Sequence, residues 1–432
     1  MGVGLWDRTS MLNEELILFL WRQRLYDATA LRTTDGRTVE VVSPGNRQYD
    51  AGPDVADARL RIDGTLWAGS IEVHVRSSDW LRHGHQNDPR YANIILHLVF
   101  NHDTDVPLGA FPTVELAPIV SDQILNRHAR LMQSRDSIPC GPALATVPQI
   151  TVSSWLERLL VGRMEARAAR IDALIDRCGG DLEQAFQAWM FRYMGAKVND
   201  DAFEELGLAL PWKVLGKGRD DIMLTEALLF GTAGLIPDPP VDDHTSGLLR
   251  EFRYLAHANG IRPMDSLRWR FARLRPAAFP TVRISQLAAI IHRHGPLSQA
   301  ISGCAGPADV RALLGTVASG YWTSRFRFGE VSTVVQPKAL GHDAIDSIII
   351  NAVVPFLFVR HDRSGRYELK EQVLGWLNGL DPEDNRTVRG FVALGLRPAD
   401  AAQSQALLSL RTDHCDRRNC LHCAIGTTLL RT

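Results

Sequence analysis

Asp54, Glu72 and His74 lie in a stretch, Pro44–Asp103, that concentrates carboxylates and imidazoles. Ser70–Arg76 alternates apolar and polar residues. On a strand, period two sends Ile71, Val73 and Val75 to one face and Glu72, His74 and Arg76 to the other. Asp54 precedes Asp63-Gly64, a strong hairpin signal, so the chain can return it to the same sheet edge. Two carboxylates and a backbone carbonyl suit a Mg²⁺ or Mn²⁺ ion that keeps several waters. Such an ion lowers the pKa of a bound water and neutralises charge on a phosphodiester. His74 is placed to act as a base or to stabilise charge. His83, His85 and Asp88 follow closely; with Glu72 or His74 they offer a nitrogen/oxygen site for Zn²⁺, Mn²⁺ or Fe²⁺. The alternative is plain structure: Asp54 capping a turn, Glu72 and His74 on a solvated strand face, His83 and His85 in a surface loop. His97, inside the apolar run Ile94–Phe100, reads as a core histidine.

A second cluster closes the chain. Cys415, Cys420 and Cys423 are separated by four and two residues, and thiolates at this density match Zn²⁺ or iron–sulfur ligation. Three ligands need a fourth, for which His414, His422 and the distant Cys140 are candidates. Cys178 and Cys304 read as ordinary helix-end or loop cysteines.

The elements that must position these groups follow from periodicity. Residues 12–25 have helical spacing. Val39–Ser43 reads as a short strand, Ala58–Ile62 as a strand with one buried face, and Thr65–Arg76 as its return. Leu66 and Ala68 are out of phase with Ile71, Val73 and Val75, which predicts a one-residue bulge near Gly69. Ile94–Phe100 is continuously apolar, as a strand covered on both faces would be. Val114–Leu116 reads as a further short strand. After Pro139 the pattern becomes helical: Ser153–Ile175 with Ser153 or Ser154 as N-cap, then Leu182–Met194, Asp221–Phe230, Gly247–Asn259, Ser285–His294, Pro307–Ser319, Ala344–Phe358, Lys370–Leu377 and Asp400–Leu410. Pro237–Pro240 is the clearest linker.

The 432 residues carry a net charge of −1 and 45% hydrophobic residues, within the range of a globular protein with a sizeable core. The charge weighs against a protein that coats nucleic acid, and leaves room for a local basic groove. Arg268–Arg275 and Tyr321–Phe328 interleave arginine with aromatics, either to stack and pair with a single strand or to fill a core with arginines at its rim. Arg163, Arg167 and Arg170 share a helix face that could extend a basic wall or be solvated. The apolar runs around Ile348–Phe358 and Ile94–Phe100 fall short of a membrane span, and the first residues lack a basic leader, so a cytoplasmic location is expected. Met11 is an alternative start.

Pro53-Asp54…Glu72-x-His74 resembles the PD-(D/E)XK nuclease signature, with His74 where that family has lysine. The helix–hairpin–strand–crossover–strand order is similar to that fold too. The resemblance implies Asp54 and Glu72 as metal ligands, and Gln86 and Tyr91, with Arg76, as substrate contacts. One upstream cysteine plus three C-terminal ones also resembles the iron–sulfur staple of some such nucleases. Over nearly the whole chain, the strings Asn13-Glu-Glu-Leu16, Asp50-Ala-Gly-Pro-Asp54, Trp67-Ala-Gly69, Ser78-Asp-Trp80, Ile138-Pro-Cys140 and Ala227-Leu-Leu-Phe-Gly231 resemble an uncharacterised bacterial family defined only as a domain of unknown function, which implies one inherited unit and points to no particular activity.

The expectation is an α/β N-terminal domain (1–140), restriction-endonuclease-like with a small mixed sheet flanked by helices. Two helical regions (141–240 and 241–410) follow, and then a metal-binding cysteine tail (411–432) packed on them. The expected function is a metal-dependent nuclease on DNA or RNA. The alternatives are a non-catalytic nucleic-acid-binding or scaffold protein, and a transition-metal enzyme using the histidines.

Overall fold

In a computed structural model describing residues 12–104, 106 and 109–432, the Asn13 side chain accepts the Leu16 N–H at 2.9 Å and caps helix α1 (Glu14–Arg22). Glu14 and Glu15 in its first turn suit the positive end of the helix dipole. Its stretch Leu16–Trp21 is buried. Met11 and everything before it lie outside the described residues.

Strands β1 (Val39–Ser43), β2 (Asn46–Arg47), β3 (Val55–Ile62), β4 (Thr65–Arg76), β5 (Ile94–Asn101) and β6 (Thr113–Glu115) form one mixed sheet, ordered β1-β3-β4-β5-β6 with β2 paired to β3. Asp63 and Gly64 both take positive φ, 44° and 82°, as a two-residue hairpin turn requires, and β3 and β4 pair antiparallel through it. β4 pairs with β5, and β5 with β6, in parallel. A parallel step needs a crossover, built here from helix α2 (Asp79–His83) and the short turns His85–Asn87 and Pro89–Tyr91. The crossover therefore carries His83 and His85 past β4. β5 is buried along Ile94–Phe100, as its unbroken apolar run predicts.

The predicted bulge lies across the ladder from its expected place. Val55 faces Ile71 and Ala58 faces Gly69, so the extra residue belongs to β3, where Asp57 has φ 57°. Gly69 serves a different need: a Cβ there would lie 2.7 Å from the Asn93 carbonyl oxygen and 2.6 Å from Ile95.

Residues 12–156, 393–396 and 409–432 belong to one unit, and 157–392 with 397–408 to another. The regions 141–240 and 241–410 thus contribute mainly to a single helical unit, and Pro237–Pro240 lies inside it. The cysteine tail groups with the sheet unit. Helix α3 (Asp122–Gln133) packs there against the last helix, Ala424–Arg431. Helix α4 (Gln149–Arg177) starts before its expected caps: Ser153 lies inside it and donates to the Gln149 carbonyl at 2.6 Å.

The helical unit has one large core that includes Trp189, Phe186, Phe230, Leu287, Trp322 and Phe356. Its His342–Arg363 helix is long and apolar enough, by length and composition, to cross a membrane, and 72% of its apolar window is buried in the protein. Trp269 and Trp322 are buried. Arg325 sits 4.5 Å from the Tyr321 ring centre, and Arg327 sits 4.7 Å from Phe271 and 5.2 Å from Phe279. These arginines already stack on the aromatics beside them, which is the core-and-rim arrangement.

Candidate metal centre

β4 is buried on both faces from Ile71 to His74, because α1 packs against it and β3 and β5 flank it. Glu72 and His74 are therefore enclosed, at 5% and 1% exposure, and the solvated-face alternative does not describe them. His74 Nδ1 lies 2.9 Å from His97 Nε2, and His74 Nε2 lies 3.1 Å from His83 Nδ1. His85 Nε2 is 3.1 Å from Glu72 Oε1, yet it is buried and makes no hydrogen bond. Ligating nitrogens of His74, His83 and His85 fall within 4.8 Å of one another. Two donors bound at right angles at about 2.1 Å stand about 3 Å apart, so the His74–His83 distance fits adjacent positions around one ion.

Asp54 reaches the same place. Its carboxylate accepts the Val73 N–H at 3.0 Å, and its own N–H donates to Glu72 Oε2 at 3.2 Å. Burial, reinforced by the Asp54 carboxylate, pushes Glu72 up to about 9, and burial also raises Asp54. Burial, with His97 next to it, drives His74 down to about 2. Burial carries His97 to about 3 and also lowers His85. The imidazoles of His74 and His85 are thus neutral at physiological pH, the form that binds a metal.

The residues present fit a metal ion: the neutral imidazoles of His74 and His85, an unbonded buried nitrogen on His85, a Glu72 carboxyl that burial holds protonated and the Asp54 carboxyl beside it form a pocket that a divalent cation would complete. With His74 bonding an ion through Nε2, His97 would accept its Nδ1–H and fix the ring, the usual outer partner of a ligating histidine.

Of the other predicted residues, Tyr91 borders the pocket and Arg76, Gln86 and Asp88 are turned to other partners or to solvent. Arg76 and Gln86 are exposed, and the Arg76 backbone N–H donates to the Asp79 carboxylate at 3.2 Å. Asp88 is tied to Arg90 and caps the turn Pro89–Tyr91. Tyr91 stacks on His85 with ring centres 4.1 Å apart, and burial raises its phenol to about 12. Two residues outside the expected set belong here. His97 joins the histidine chain in place of being a satisfied core residue. Glu14 has its carboxyl raised by burial and then by Asp54 and Asp79; its only sequence signal was the acidic first turn after Asn13. The cysteines form a separate cluster: Cys140, Cys415, Cys420 and Cys423 are all buried and unpaired by disulfides.

Glu72 gives the metal-free protein a pH signature. Its folded pKa lies above the usual carboxylate value, so the folded state holds the extra proton and its contribution to stability is lost as pH rises from about 4.5 through about 9. His74 and His97, with depressed pKa values, act in the opposite sense and cost stability as pH falls below about 6.5. Chelator-treated Glu72→Gln should melt close to wild type near pH 5 and several degrees above it near pH 9. Parallel melting curves for the two proteins across that range would show that Glu72 is not protonated in the fold.

The fold and site define a mixed-sheet unit with a histidine–carboxylate pocket, joined to a helical unit. The chain belongs to the family described as Protein of unknown function (DUF2851), whose model matches residues 14–386. The match takes in the whole histidine pocket and Cys140 and ends before the other three cysteines. No curated protein and no solved structure matches the chain.

Proposed function

We propose that this protein is a divalent-metal-dependent phosphodiesterase acting on DNA or RNA, with the ion held by His74, His83, His85 and Glu72. The observation that carries the reading is the convergence of the three imidazoles beside a buried carboxyl. This donor set favours Mn²⁺, Zn²⁺ or Fe²⁺ over the Mg²⁺ that two carboxylates alone suggest. The bound ion would supply an acidified water and offset phosphodiester charge. The chain's own groups orient it: His97 holds His74, the Val73 N–H holds Asp54, and the Asp54 N–H holds Glu72. Support for a nucleic-acid substrate is the helix, hairpin, crossover and parallel-strand order, together with the Asp54/Glu72 pair, which the restriction-endonuclease-like reading also requires.

The nitrogen-rich donor set favours one second reading, a transition-metal enzyme of another reaction class. The test is incubation of the full chain with single- and double-stranded DNA and RNA plus Mn²⁺, Zn²⁺, Fe²⁺ or Mg²⁺, beside Glu72→Ala. Metal-dependent cleavage lost in the variant supports the proposal. Equal cleavage by the variant, or none by either protein, overturns it; metal binding without cleavage leaves the second reading.

A further inference from the structure

Four cysteines from two distant parts of the chain meet in the sheet unit. Cys140 directly precedes the short turn Gly141–Thr146. Cys415 ends the wide turn Leu410–Cys415, Cys420 opens the turn Cys420–His422, and Cys423 caps Ala424–Arg431. Their exposures lie between 5% and 9%, and Cys140 and Cys415 each lie within electrostatic range of the Cys420 and Cys423 sulfurs. The two segments are clamped together beside the sulfurs. Arg418, in the loop between Cys415 and Cys420, donates to the carbonyls of Ser134 at 2.6 Å and Asp136 at 3.2 Å, just ahead of Cys140. Arg418 takes φ 55°, and its N–H closes onto the Cys415 carbonyl at 3.2 Å. A Cβ on Gly426 would lie 2.4 Å from the Cys420 carbonyl oxygen, so glycine lets this helix start approach Cys420 closely.

We propose that Cys140, Cys415, Cys420 and Cys423 ligate an iron–sulfur cluster that ties the carboxy-terminal segment to the sheet unit. One observation selects a cluster over a single zinc ion: the spacing of four residues and then two between Cys415, Cys420 and Cys423 is one that plant-type ferredoxins use for cluster ligation. The fourth ligand here comes from upstream, so cluster assembly requires the two ends of this unit to be docked. The site is independent of the histidine pocket, and its fate says nothing of the phosphodiesterase reading.

The test is anaerobic purification of the full chain from iron-supplied cells, with assays of iron, zinc and acid-labile sulfide and a visible absorption spectrum. Sulfide reports the cluster separately from any ion on the histidines. The expected result is about two to four sulfides per chain with matching iron and sulfide-to-iron charge-transfer absorption. Cys140→Ser and Cys420→Ser should each drop sulfide to background, while Cys178→Ser, in the other unit, should keep it in full. One zinc per chain without sulfide, or no metal and no sulfide, overturns the proposal. The wild-type measurement alone decides between these outcomes, even where a variant fails to fold.

Discussion

Chelator-treated His74→Ala is expected to bind Mn²⁺ or Zn²⁺ at least about 100-fold more weakly than wild type, because a buried ligand is lost where outer-partner losses alone cost about 10–100-fold. His74 stands at the centre of the pocket. One ring nitrogen faces His83 at 3.1 Å and the other faces His97 at 2.9 Å, and Glu72 Oε1 is 3.8 Å away. Removing it takes out a donor and leaves His97 without a ring to orient. His97→Gln should fall between the two proteins, since its amide oxygen can still accept the His74 Nδ1–H. His83→Ala, at an exposed position, should weaken binding with little change in melting temperature. This separates loss of a ligand from loss of packing. Titration calorimetry with each ion reads all three. Wild-type affinity in His74→Ala, with a native melting curve, would remove the histidines as the metal site and with them the proposed function.

Much of the fold was legible because it is local. Asp63-Gly64 encodes a turn through its two positive-φ residues, and the unbroken apolar run of β5 encodes a strand covered on both faces. Leu182–Met194 keeps its predicted bounds because Asp181 caps it by accepting the Glu183 and Gln184 N–H groups. The candidate site was legible only in part. Period two placed Glu72 and His74 on a common face, but said nothing of whether that face would be covered. The covering came from α1, which brings Glu14, and from β5, which brings His97. Arg76 has the same parity as Glu72 and stays exposed because the burial ends before it. Ser153 has the chemistry of a cap, but the helix begins four residues earlier and turns its hydroxyl onto a backbone carbonyl. The tail's partner was equally non-local: nothing in the spacing of Cys415, Cys420 and Cys423 says that the segment packs on the sheet unit.

The largest stability effect is expected in the helical unit, where a charge network replaces the basic wall that Arg163, Arg167 and Arg170 suggest. Arg167 is 9% exposed and donates to Asn351 Oδ1 at 2.5 Å and to the Ile350 carbonyl at 3.4 Å. Asn351 donates to Glu383 at 3.1 Å; Gln405 also donates to Glu383 and accepts from Arg163 at 2.6 Å. The acceptors exist because Ile349–Val353 is a π-helical turn. Its wider winding interrupts the regular ladder, and the Ile350 and Ala352 carbonyls take hydrogen bonds from Arg167 and the Trp189 indole. Burial, and then Arg163, lowers Arg167 to about 10, while Glu383 opposes that shift. Glu383→Ala removes the acceptor of the Asn351 and Gln405 amides; a buried donor left unsatisfied costs about 1–3 kcal/mol, and the variant should lose about that amount of stability in denaturant melts. Arg167→Met in the same background should recover part of the loss, because the buried charge is then gone and the methionine still fills the space. A double variant less stable than Glu383→Ala would mean that Arg167 acts through packing and its carbonyl bond, and that the carboxylate two links away does not govern it.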